Sequence, residues 1–98
     1  MLTFEKVLEV FANYLHDDTE CEVILTKRGY TVLIWDSRAQ EWDTCEYCPT
    51  PEVLRDRLAE AYANLAELKS TGGKRELTRE EQTQIIEERN SLTKDCGK

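Results

Sequence analysis

The cysteines are the residues of this 98-residue chain whose type and spacing come closest to a chemical motif. Cys45 and Cys48 are separated by two residues, the spacing of half a zinc knuckle or of a redox dithiol. A structural zinc site needs four ligands, but Cys21 and Cys96 are distant in sequence, and His16 is the single histidine. On a strand, Cys45 and Cys48 would also point to opposite faces. We therefore expect no bound metal.

Redox and acid–base chemistry have no better support from the sequence. A redox dithiol places its nucleophilic cysteine at the N-terminus of a helix, where the helix dipole lowers the thiol pKa. Here the predicted helix starts near Thr50, after both cysteines, and the intervening Glu46 would disfavour a thiolate. The carboxylates include no distinguished pair, and the sequence lacks the GxGxxG, P-loop, HExxH and GxSxG signatures. We expect a non-enzymatic protein without a cofactor, whose cysteines are small buried hydrophobic residues.

The elements that position these residues centre on the stretch 20–48, which contains both tryptophans and three of the cysteines. Three runs rich in β-branched and aromatic residues alternate with short polar breaks, and they predict the strands Glu20–Thr26, Tyr30–Asp36 and Glu41–Cys48. Because the first break contains Gly29 and the second is longer and polar, we expect two successive hairpins.

The register of these hairpins decides which side chains share a face of the sheet. A two-residue turn at Arg28-Gly29 would pair Leu25 with Val32, and we expect Cys45 opposite Val32 in the second hairpin. The face suited to a core then comprises Val23, Leu25, Tyr30, Val32, Ile34, Cys45 and Tyr47. The opposite face carries the candidate partner-binding residues Trp35, Trp42, Leu33, Ile24, Glu22 and Glu46. This second face is more apolar than solvent exposure requires, so either the last helix or a partner should cover it.

Three helices should accompany the sheet. Residues 2–15 carry an apolar stripe at helical spacing, and a second stripe runs from the Thr50-Pro51-Glu52 helix start to about residue 69. The capping-box pattern Thr78–Glu81 predicts a last helix with few apolar residues, which could serve a partner or form a homodimer with a second copy.

The sequence thus predicts a single α+β domain in the order α-β-β-β-α-α. Its three-stranded antiparallel meander should have helices packed on one face. We divide the chain into an α-β-β-β-α core at 1–69, a linker at 70–77, and a C-terminal helix with a frayed tail at 78–98.

The charge is acidic and is concentrated around the predicted sheet. The formal net charge is −7, and residues 17–46 contain eight acids against three bases. An acidic surface repels phosphates, so we expect no direct nucleic-acid binding and favour a basic protein partner. No apolar run is long enough for a membrane helix, and acids interrupt the N-terminal apolar stretch, unlike a signal peptide. We expect a cytoplasmic protein with no membrane partner.

Three stretches within residues 2–68 resemble a group of small acidic proteins carried on mobile elements and prophages of gut Firmicutes. They are LTFEKVLEVFANYL, ILTKRGYTVLIWD and CPTPEVLRDRL. The resemblance implies an accessory protein of a mobile element. It assigns no chemistry to any residue.

Together these observations favour a protein–protein interaction module that uses the Trp35/Trp42 face. The alternative is an acidic inhibitor that mimics nucleic acid and occupies the basic groove of a host defence or DNA-processing protein. Co-purification with a nuclease or DNA-binding protein would favour the alternative.

Overall fold

The computed structural model describes residues 1–97, which form one three-stranded sheet and four helices. In chain order the elements are α1 (Phe4–Val10), α2 (Ala12–Asp17), β1 (Cys21–Thr26), β2 (Gly29–Asp36), β3 (Glu41–Cys48), α3 (Pro51–Thr71) and α4 (Arg79–Asp95). The sheet is an antiparallel meander with β2 in the centre. The predicted α+β class, element order and antiparallel sheet are confirmed.

The predicted N-terminal helix is present but divided in two. Thr3 caps α1 by accepting the Lys6 backbone N–H at 3.1 Å. At Phe11 the backbone leaves helical geometry (φ −92°, ψ 8°) before α2 begins. The apolar stripe continues across the break, because Val7, Phe11 and Tyr14 keep the i, i+4, i+7 spacing and are all buried in the core.

The first hairpin differs from the predicted register by two residues. Thr26 pairs with Gly29 and Leu25 with Tyr30, so Lys27 and Arg28 form the turn. Gly29 adopts φ +111°, and a Cβ there would lie 2.8 Å from the Cys48 carbonyl oxygen. A shift of two residues preserves the alternation of side chains, so the predicted faces of β1 and β2 are retained.

The second hairpin corrects the prediction for β3. Ile34 pairs with Thr44 but Trp35 pairs with Trp42, so Asp43 is an extra residue in a β-bulge. From Thr44 to Cys48 the register of β3 is shifted by one residue from the predicted one, and this shift moves each of these side chains to the opposite face of the sheet. Cys45 and Tyr47, predicted for the core face, therefore lie on the opposite face and are exposed.

The same shift moves other residues of β3 the opposite way. Cys48, Glu46 and Thr44 lie on the helix-covered face, where Cys48 is fully buried. On the other side of the bulge the strands have the predicted register, so Trp42 shares a face with Trp35 as predicted.

The core lies between one face of the sheet and the helices α1 to α3. Its largest fully buried apolar side chains are Phe11, Leu54, Leu58, Val7 and Val32. They come from α1, the junction between α1 and α2, β2 and α3, and Ala59 and Ala61 of α3 belong to the same buried cluster.

The helix α4 packs against α3 rather than against the sheet. Its start has the predicted capping box, in which Glu81 N–H donates to Thr78 Oγ1 and Thr78 N–H donates to Glu81 Oε1. The preceding helix ends at Gly72, whose φ of 63° suits the left-handed C-cap. Ile85 and Cys96 are buried, so the predicted fraying does not extend to Cys96; Lys98 lies outside the described residues.

A candidate interaction surface on the open sheet face

The sheet face opposite the helices is called the open face below. It consists of the side chains of Glu22, Ile24 and Thr26 from β1, Thr31, Leu33 and Trp35 from β2, and Trp42, Cys45 and Tyr47 from β3. Ile24, Trp42 and Tyr47 are 42 %, 48 % and 53 % exposed, respectively. Large apolar side chains clustered on an exposed face are typical of interaction sites.

The two tryptophans form the centre of one end of this face. Trp35 and Trp42 are directly opposite each other on β2 and β3, with ring centroids 5.1 Å apart and planes at 76°. This edge-to-face geometry fixes both indoles relative to each other. The Asp43 bulge creates the arrangement, because without the extra residue Trp42 would alternate to the helix-covered face.

The hairpin between β1 and β2 forms the other end. Arg28, in the turn, lies over the Tyr47 ring at 5.6 Å from its centroid. Below it, the hydroxyls of Thr26 and Thr31 are 3.3 Å apart, and Thr26 Oγ1 donates to the Gly29 carbonyl oxygen at 2.7 Å. These contacts hold the turn against the sheet.

The two ends of the open face carry opposite charge. Glu20, Glu22 and Asp43 surround the tryptophan end and are exposed, with Arg38 nearby in the second loop. The hairpin end carries Lys27 and Arg28, both exposed. The face is therefore an apolar strip with an acidic end and a basic end.

Of the six predicted partner-binding residues, Glu46 lies elsewhere. It is paired with Val32 on the helix-covered face, and its Oε2 is 2.9 Å from Nε of Arg57 in α3. Arg57 also contacts Glu60 at 2.9 Å. Glu46 therefore ties the edge of the sheet to α3. The five others, Trp35, Trp42, Leu33, Ile24 and Glu22, are brought together as predicted.

Sequence reasoning did not place Tyr47 and Arg28 on this surface. The sequence predicts Tyr47 on the core face because a register that pairs Tyr30 with Tyr47 keeps one face apolar throughout, whereas the strands pair Tyr30 with Cys48. The signal that could have found it is the longer second loop, which leaves the register of β3 free to slip and admits a bulge.

The four cysteines differ from one another in their burial. Cys21, Cys48 and Cys96 are buried, and burial raises the pKa of each thiol. Cys45 is exposed beside Leu33 on the open face, contrary to the prediction of a buried residue. Within residues 1–97 no three histidine, cysteine or acidic side chains are grouped so that they could hold a metal ion.

Apart from the open face, a groove lies between α2, α3 and α4, with a volume of about 660 Å³. Tyr14 and Tyr62 both line it and meet edge to face, with ring centroids 5.8 Å apart. The Tyr62 hydroxyl donates to Glu88 at 2.6 Å, and burial together with this bond raises the pKa of Tyr62 to about 12. The sequence did not predict this groove, because it depends on how α4 docks.

Searches for related proteins place no further constraint on the site. Among residues 1–97, no helix is both long enough and apolar enough to cross a bilayer. Comparison of the chain with family models, curated proteins and solved structures found no match.

Proposed function

We propose that this protein is a non-enzymatic protein–protein interaction module that binds a basic partner protein through the open face. The observation that carries the proposal is the Trp35/Trp42 pair, held edge to face on a side of the sheet where Trp42 is 48 % exposed. Tryptophan is strongly enriched among the residues that dominate binding energy at interfaces.

The basic character of the partner follows from the charges around the tryptophans. Glu20, Glu22 and Asp43 lie at this end of the face, and the chain as a whole has a net charge of −7. Complementary charge accelerates association and excludes acidic competitors. Arg28 over the Tyr47 ring gives an example, within the same face, of an aromatic ring that accepts a guanidinium.

The nucleic-acid mimic has less support as an alternative. A mimic of a phosphate backbone needs an extended acidic surface, whereas Lys27 and Arg28 interrupt the acidic character of this face. The proposed module acts in the cytoplasm, where an exposed thiol such as Cys45 remains reduced. Its association with mobile elements follows only from the sequence resemblance.

The test compares what the wild-type chain and two variants retain from a host lysate. Trp42→Ala removes an exposed ring from the open face, and Leu68→Ala removes an apolar side chain of similar exposure (55 %) from α3. We expect a basic protein that the wild type and Leu68→Ala retain equally. Trp42→Ala should bind it about 2 kcal/mol more weakly, a loss of roughly thirtyfold in affinity, measured with the purified partner.

Two results would refute the proposal. One is that every protein retained by the wild type is retained equally by Trp42→Ala, although the two chains have the same melting temperature. The other is that the distinguishing protein binds through an acidic surface, which would contradict the charge argument.

A further inference from the structure

We propose that the open face also closes on a second copy of this chain, so that a face-to-face homodimer competes with the partner. This inference rests on the proposed function, since both use the open face. It is carried by a separate observation, which is the opposite charge of the two ends of that face.

The order of rows along the sheet makes the face self-complementary. From the hairpin end to the tryptophan end, the cross-strand rows are Thr26 with Gly29, then Ile24–Thr31–Tyr47, then Glu22–Leu33–Cys45, then Trp35 with Trp42. A two-fold axis in the interface, perpendicular to the strands, reverses this order in the second copy. The hairpin end of each copy then faces the tryptophan end of the other, as an isologous contact requires.

The charges match under this operation. Lys27 of one copy faces the start of β1 in its partner, where Glu20 lies level with Trp35, because β1 lies over β1. Arg28 extends over Tyr47 towards the β3 side of the sheet, and it therefore faces Trp42 and Asp43 of the second copy. Because of the two-fold symmetry, each dimer contains the Lys27 contact and the Arg28 contact twice. The guanidinium of Arg28 would occupy the position that a basic residue of the partner protein takes in the proposed complex.

The central rows supply the apolar contact. Leu33 of one copy faces the row in the other whose exposed apolar side chains are Ile24 and Tyr47. Two antiparallel sheets commonly stack in this way about 10 Å apart. The aligned strands present a patch of roughly 14 by 26 Å, or about 700 Å² for both copies together. This is below the area of about 1,200 Å² that stable specific complexes bury. The dimer should be weak and readily displaced by a partner.

Two charge-reversed variants test the inference directly. In the first, Lys27→Glu with Arg28→Glu makes both ends of the face acidic. In the second, Glu20→Lys with Asp43→Lys makes both ends basic. Each variant should self-associate at least about tenfold more weakly than the wild type, because like charges then meet at both ends. Sedimentation velocity from micromolar to millimolar protein measures this difference.

The decisive sample is an equimolar mixture of the two variants, one of them isotopically labelled. Both ends are then complementary again, so native mass spectrometry should show heterodimers in excess of either homodimer. Matched controls with the same net charges reverse exposed residues outside the open face. They are Lys74→Glu with Arg79→Glu, and Glu67→Lys with Glu87→Lys. These controls should dimerise like the wild type.

The inference is overturned if the wild type remains monomeric at millimolar concentration. It is equally overturned if the dimer is insensitive to both reversals, which would place the contact elsewhere, for example on α4, or if the mixture forms no excess heterodimer. These failures are distinct from failure of the proposed function. A monomeric chain that still retains a basic protein through Trp42 would lose the homodimer and keep the interaction module.

Discussion

At the scale of single residues, exposure separates cysteines that otherwise look alike. Cys45 projects from the open face, whereas Cys21, Cys48 and Cys96 are at most 5 % exposed. Burial raises the pKa of those three thiols, so at mildly alkaline pH they carry less of the nucleophilic thiolate. The buried thiols can react only after local or global opening of the fold.

Alkylation by iodoacetamide should therefore modify Cys45 first. We expect its rate under native conditions to exceed that of the buried cysteines by about a hundredfold or more, since opening costs several kcal/mol. Peptide mapping over time measures the four rates, and Cys45→Ser should abolish the fast phase. Equal rates for Cys45 and Cys48 would show that the register of β3 is different from the one described.

Glu81 gives a residue-scale prediction of pH dependence. Hydrogen bonds from Arg75, at 2.8 and 2.9 Å, and from the Thr78 backbone lower the pKa of Glu81 from 4.5 to about 2. A lowered carboxyl pKa in the folded state stabilises the fold above the unfolded pKa. That contribution is lost as the pH falls from about 4.5 through about 2.

The variant Glu81→Gln isolates this effect, because glutamine keeps the capping-box geometry without the charge. In urea unfolding, the stability advantage of the wild type over Glu81→Gln should be constant near neutral pH and decrease between about pH 4.5 and 2. Glu87→Gln, an exposed carboxyl on the same helix, serves as the control. An advantage that grows on acidification would have the wrong sign for the Arg75 contact.

At the scale of elements, the sequence predicts best where the deciding interactions are local. Thr50 accepts the Val53 N–H as expected of an N-cap, and Thr78 with Glu81 forms the expected box, because both signals lie within one helical turn. The positions of the three strands follow equally from their residue types. Local chemistry thus defines most of the fold.

Prediction fails where one element depends on a distant one. The register of β3 requires knowing that Cys48 fills a core site beside Tyr30 and that Asp43 forms a bulge, and neither is visible in the pattern of β3 alone. The break at Phe11 coincides with no glycine or proline, so the helical pattern of the sequence continues through it. One misplaced residue in β3 misassigned Cys45, Glu46 and Tyr47 together, since side chains alternate along a strand.

The helix α3 provides an element-scale prediction with an internal control. Leu58 is fully buried, whereas Leu68, ten positions later on the same helix, is 55 % exposed. Leu58→Ala should lower the free energy of unfolding by about 2–5 kcal/mol through lost burial and a residual cavity. Leu68→Ala should change it by less than about 0.5 kcal/mol, measured by chemical denaturation. Similar losses in the two variants would contradict the orientation assigned to α3.

At the scale of the whole molecule, the chain is a thin slab of about 40 × 35 × 18 Å. Helices cover one side of the sheet, and α4 adds to the helical side by packing on α3. The open face is thereby left on the other side, with its own charge pattern and its own aromatic cluster. This arrangement separates the part of the chain that secures α4 from the part proposed to bind a partner.

That separation can be tested by loosening α4 while observing the tryptophans. Ile85 is 8 % exposed in the contact with α3, so Ile85→Ala should cost about 2–5 kcal/mol of stability. Because α4 does not cover the open face, acrylamide quenching of tryptophan fluorescence should be efficient in the wild type and unchanged in the folded variant. The same comparison, made between Trp35→Phe and the double variant Trp35→Phe with Ile85→Ala, reports on the more exposed Trp42 alone. If quenching instead rises when Ile85 is truncated, α4 shields the tryptophans in solution, and the open face belongs to the interior of the protein.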